Sequence, residues 1–117
     1  MIYLLYIFIY LHINTMPIYM KIIKATAKNK KWKALFSKDI DGKRKVIKTT
    51  SFGDNRYQDY TQHKDKERRS RYRSRHMKDL TKGNYMNAGY LSYYLLWGES
   101  AALSTNISSY KKRFKLK

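Results

Sequence analysis

Tyr57-Gln-Asp-Tyr-Thr-Gln-His-Lys-Asp-Lys-Glu-Arg-Arg-Ser-Arg-Tyr-Arg-Ser-Arg-His-Met-Lys78 is the stretch around which the chain is organised. Between Lys64 and Lys78 eight Lys/Arg stand against only Asp65 and Glu67, with no Pro or Gly among them. Lys, Arg, Glu and Gln are acceptable to good helix formers, so the stretch reads as one long basic helix beginning near Asp59 or Thr61. On such a helix Lys64, Arg68, Arg71, Arg75 and Lys78 fall at i, i+4, i+7, i+11 and i+14, one stripe on one face. At 1.5 Å per residue the stripe is about 21 Å long. A second row, Lys66, Arg69 and Arg73, points nearly the opposite way. No continuous apolar face remains, and a helix polar on all sides is bridging, partner-bound or unstable. The expectation is a partner-bound helix whose partner is a polyanion.

Upstream, the pattern turns to short strands. Lys21-Ile-Ile-Lys-Ala-Thr-Ala27 is rich in β-branched residues, and Trp32, Ala34 and Phe36 alternate with Lys33 and Leu35. Asp39-Ile-Asp-Gly-Lys43 carries the Asp-Gly hairpin signal, and Lys45 to Phe52 supplies a third strand. A three-stranded antiparallel meander needs a helix laid across its apolar face to be stable. Downstream, Lys82-Gly-Asn84 ends the basic helix. Asn87 to Trp97 reads as a buried helix, where core packing outweighs a stacking role for Tyr90, Tyr93, Tyr94 and Trp97. Gly98 fits the position after a helix end and Ser100 a helix N-cap. In the last helix Leu103, Ile107, Tyr110 and Phe114 form an inward stripe. The fold class expected is α+β: a three-stranded antiparallel β-meander followed by a long basic helix and two further helices.

Residues 1–19 are set apart as a hydrophobic N-terminal extension to a single small basic domain, residues 20–117. Met1 to Ile13 is apolar except at His12. It lacks the basic start and cleavage site of a signal peptide, and falls short of the ~20 apolar residues of a membrane span. Translation beginning at Met16 or Met20, a hydrophobic anchor and an extra edge strand are the readings left open.

Composition narrows the function. A formal charge of +18 over 117 residues favours nucleic acid or anionic surfaces. Aromatic residues make up 15%, against the usual poverty of disordered chains. With no cysteine there is no disulfide framework and no thiolate metal site. His63 and His76 lie thirteen residues apart among cations that would repel a metal ion. Asp59 and Asp65 show no paired-carboxylate spacing, so neither a nuclease nor any cofactor is expected. Asp65 and Glu67 read as acids favouring the helix dipole, and His63 as a hydrogen-bonded residue at the helix start.

The blocks Tyr60-Thr-Gln-His-Lys-Asp-Lys-Glu-Arg-Arg69, Arg71-Tyr-Arg-Ser-Arg-His76, Gly89 to Trp97 and Ser109-Tyr-Lys-Lys-Arg-Phe114 occur together and in order. From Met20 to Phe114 the chain resembles an uncharacterised family of small basic proteins of large nucleocytoplasmic DNA viruses of algae and amoebae. It departs at Arg73 and Ser74, where members more often carry an apolar pair. The resemblance implies a viral protein, found in the virion or the infected cell.

Arg and Lys supply phosphate contacts, and nearby Tyr rings supply faces for unpaired bases. The expected function is non-enzymatic, backbone-directed nucleic-acid binding, DNA favoured, by Lys64, Lys66, Arg68, Arg69, Arg71, Arg73, Arg75 and Lys78. No helix-turn-helix or zinc-finger spacing supports base-specific readout. Six neutralised phosphates would give a log–log salt slope of roughly −5 on duplex DNA. The alternative is a virion cement protein that docks acidic capsid or core proteins through the same helix. Membrane contact through residues 1–13 ranks behind both.

Overall fold

The computed structural model describes residues 2–14 and 16–117. Three strands, β1 (Ile18–Lys24), β2 (Lys30–Ile40) and β3 (Lys43–Asp54), form an antiparallel sheet in the order β1-β2-β3. The fold is α+β, with the expected meander. Asp41 and Gly42 both take positive φ, 52° and 76°, as a two-residue turn matching the strand twist requires. The register pairs Met20 with Phe36, and Trp32 with Phe52. Met20, Ala34, Phe36 and Phe52 therefore share one face, and all four are buried. Between Phe36 and Ser37 the register slips by one residue, a bulge beyond which Ile40, Val46 and Ile47 are exposed.

The inner face is covered from the C-terminal half. α4 (Ala88–Leu91) runs into a π-helical turn (Ser92–Leu96), and together they bury Leu91, Tyr93, Leu95 and Leu96. α5 (Leu103–Arg113) adds Tyr110, with Leu103, Ile107 and Phe114 packed beside it, so the expected stripe does face the core. Tyr90, Tyr93, Tyr94, Tyr110 and Phe114 make mutual ring contacts at centroid distances of 4.7 to 6.3 Å. Gly89 allows close approach, since a Cβ there would lie 3.1 Å from Asp79 Cβ.

At the α4–α5 junction one expectation holds and one is corrected. Gly98 does follow the C-cap, Trp97, but it is required for space and not for a left-handed backbone: a Cβ there would lie 2.2 Å from the Tyr94 carbonyl oxygen. Helix α5 starts at Leu103 with Ala102 in the N-cap position, two residues later than Ser100. Ser100 instead accepts the Ala102 amide at 3.0 Å, and its own backbone binds Asn106. That buried side chain donates to Leu95 O at 3.0 Å and Ser100 O at 2.7 Å, and accepts from Ser100 N at 3.1 Å. Gly98→Ala is expected to cost about 2–4 kcal/mol, because the added methyl meets backbone and the Asn106 amide at once. Urea denaturation would read this as a lowered midpoint at unchanged slope.

The N-terminal segment also differs from one of its readings. Ile2–Asn14 is an α-helix, α1, and not an edge strand. The edge it would have joined is taken: Leu116 bridges Ile18, Met20 N donates to Lys117 O at 2.9 Å, and Lys117 N to Ile18 O at 2.8 Å. A segment denied a strand partner satisfies its backbone polar groups within a helix. Ile2 to Ile9 are exposed, and among the described residues no helix is long and apolar enough to cross a membrane. Met1 and Thr15 lie outside the described residues, and the sheet begins at Ile18, two residues before the expected domain boundary.

Candidate nucleic-acid interface

The long basic helix is three pieces. α2 (Tyr60–His63) is a single turn capped by Asp59, which accepts the Thr61 amide at 2.9 Å while the Gln62 side chain accepts the Asp59 amide at 3.0 Å. Lys64 then takes a left-handed conformation, φ 59°, and breaks the helix. Asp65 caps α3 (Lys66–His76) through the Glu67 and Arg68 amides at 3.0 and 3.2 Å. Those backbone donors hold its carboxyl below the usual range. A 3₁₀ turn, Met77–Leu80, follows. Lys64 and Lys78 therefore lie off α3, and the continuous stripe shortens to Arg68, Arg71 and Arg75. Asp59 and Asp65 are thus both helix caps.

The second basic row is corrected outright. Arg73 donates to Trp97 O at 2.8 Å and its guanidinium lies 4.2 Å from the Tyr93 ring centroid. Arg69 donates to Gly98 O at 3.3 Å and Glu99 O at 3.0 Å, over the Tyr60 ring at 5.1 Å. Trp97 caps the π turn, and the two guanidinium groups satisfy its carbonyl and those of Gly98 and Glu99 just beyond it. Arg69 and Arg73 thus face inward as structural donors, while Lys66 stays exposed. Arg69, Tyr72, Arg73 and His76, at i, i+3, i+4 and i+7, form the docking face of α3. All four are half-buried, and three of them are polar by any composition scale.

Tyr72 carries the rest of the contact. Its ring stacks on Trp97 at 4.2 Å with planes 6° apart, and on His76 at 4.0 Å. Burial raises its phenol pKa to about 12. His63 meets the Trp97 ring at 5.2 Å, so a ladder of rings ties α2 and α3 to the end of the π turn. His63 Nδ1 accepts the Asp65 amide at 2.9 Å and Nε2 is buried without a hydrogen-bond partner among the described residues. Burial first, then the Arg68 charge, lowers its pKa, against the opposing pull of Asp65 and Asp59. With the folded value below the unfolded ~6.5, its stabilising share is present above that pH. It is lost as pH falls through ~6.5 toward the folded value. The melting temperature is expected to drop between pH 7.5 and 5.5, and His63→Gln to flatten that dependence.

Beside this ladder lies a cleft of about 370 Å³ between α3, the loop after β3 and the π turn. Lys31, Tyr57, Ser92, Leu96 and Trp97 line it with Arg68, Arg71, Tyr72 and Arg75. Its acids already have cations. Asp59 Oδ2 takes Lys31 Nζ at 2.6 Å, and Asp54 takes Arg56 at 2.8 Å, which lowers the Asp54 carboxyl to about 2. Arg71 reaches only the exposed Glu67, at 3.9 Å. Among the described residues, Arg68 and Arg75 have no acid within ion-pair distance, and no cluster of His and acids could hold a metal ion.

Sequence reasoning therefore placed Arg68, Arg71 and Arg75 on one exposed face. It missed Lys31, Tyr57, Tyr72 and Trp97 as cleft residues. The interleaving of Tyr57 and Tyr72 with basic residues was the available signal; for Lys31 and Trp97 there was none. No curated protein and no solved structure matches the chain. Residues 20–76, just under half of it, match a family described as a family of unknown function (DUF5754). The chain is similar to that family from β1 to the end of α3, a span that holds the sheet and the basic wall of the cleft.

Proposed function

We propose that this chain is a non-enzymatic basic nucleic-acid-binding protein of a large DNA virus, holding the backbone with little sequence preference. The observation that carries this reading is the charge accounting on α3. Arg68, Arg71 and Arg75 stand exposed on one face beside a cleft whose own acids are engaged elsewhere. Guanidinium groups left in that state suit phosphate, being delocalised cations with planar donor forks. The net charge of +18 adds long-range attraction for any polyanion.

Electrophoretic mobility shift on unrelated DNA sequences across a salt series tests it. Salt-sensitive retention of all of them supports the reading, and absence of any shift near 50 mM salt sinks it. The second reading is a virion cement protein docking acidic partners. It draws on Ile40, Val46 and Ile47, apolar side chains exposed toward the end of the β2–β3 hairpin among Lys43, Lys45 and Lys48. Binding to acidic capsid or core protein without a DNA shift would favour it.

A further inference from the structure

The geometry points to one unpaired nucleotide as the occupant of the cleft, its phosphates on Arg68, Arg71 and Arg75 and its base on the open face of Tyr57. This rests on the nucleic-acid reading above and adds strand preference to it.

Size comes first. A cleft of about 370 Å³ is within the range that holds a single small ligand, and a paired duplex cannot enter it. Aromatic supply comes second. Tyr72 has Trp97 on one face and His76 on the other, so neither of its faces is free for a base. Tyr57 lines the same cleft, is 69% exposed and has no aromatic partner among the described residues. An open ring at the lip of a basic cleft is a stacking platform. A base within a duplex has both faces covered by its neighbours, so only an unpaired base can use that platform. Third, the three guanidinium groups follow one helix face at i, i+3 and i+7, a line that tracks a backbone and leaves the base directed toward the cleft wall.

The test is fluorescence anisotropy with a labelled oligothymidylate of about twelve nucleotides, set against the same strand paired with oligoadenylate. Tyr57→Ala, Tyr57→Phe and Arg71→Gln are compared with the unchanged chain, and thermal melts confirm that each is folded. The unchanged chain should prefer the single strand. Loss of one stacked base is worth about 5- to 150-fold in affinity. Tyr57→Ala should lose that much on the single strand and little on the duplex, Tyr57→Phe should retain it, and Arg71→Gln should weaken both. A preference for duplex, or a Tyr57→Ala effect equal on both forms or absent from both, overturns the inference and leaves the charged face intact. Failure of both forms to bind near 50 mM salt overturns the nucleic-acid reading itself, and this inference with it.

Discussion

Changing Arg68, Arg71 and Arg75 together to glutamine is expected to weaken nucleic-acid binding by roughly 10²- to 10³-fold near 0.1 M salt, without weakening the fold. Each neutralised phosphate contributes about 0.7 to the log–log salt slope on single strands and about 0.9 on duplex. Removing three contacts should flatten the slope by about 2 or about 2.7 respectively. Stability should hold or rise slightly. The three side chains are exposed, and like charges at i, i+3 and i+4 repel by a few tenths of a kcal/mol per pair. Anisotropy titrations at several salt concentrations, paired with urea denaturation, measure both quantities. An unchanged salt slope would show that these residues do not meet phosphate.

The opposite pattern is expected from the other side of the same helix. Arg69→Ala combined with Arg73→Ala should destabilise the protein by about 3–5 kcal/mol and leave the salt slope of the folded fraction intact. The pair leaves the carbonyls of Trp97, Gly98 and Glu99 without donors and removes cations from over Tyr60 and Tyr93. A part-buried acceptor stripped of its partner costs about 1–3 kcal/mol, and each cation–π contact adds about 0.5–2 kcal/mol. For a domain of ordinary stability, about 5–15 kcal/mol, this is a large share of the whole. Arg73→Lys should fall between, since an ammonium keeps the charge and loses the planar fork that meets carbonyl and ring together. If instead the double variant lost affinity at unchanged urea midpoint, the inward role assigned to this row would be wrong.

These paired expectations separate two sets of arginines that composition cannot tell apart. Helical periodicity did sort them into two rows, but it gave both rows the same phosphate-binding role. What periodicity could not supply was the fate of the inner row. Burial rules treat arginine as wet, yet its stem and planar head can lie on aromatic rings while its donors reach carbonyls. At Arg73 the guanidinium stacked on Tyr93 occupies the docking face. The break at Lys64 was partly legible. Asp59 followed by Gln62 is a capping-box spacing, and Asp65 two residues before Glu67 is a second N-cap signal. Read together they mark two helix starts; uninterrupted helix propensity masked the second.

The amino-acid sequence by itself determined the elements whose causes are local. Strand alternation from Trp32 to Phe36, the Asp41-Gly42 turn and the stripe of α5 each depend on neighbours a few residues away. Tertiary structure alone decided the rest. Arg69 and Arg73 turn inward because carbonyls 24 to 30 residues further along arrive beside them. The sheet edge closes because Leu116 and Lys117 return to Ile18 and Met20. The cleft exists because Lys31, Tyr57, Arg71 and Trp97, on four separate segments, converge on one space. Local propensity acts through a few torsions and adjacent side chains, whereas a docking face is chosen by whichever distant donors, acceptors and rings the folded chain brings against it.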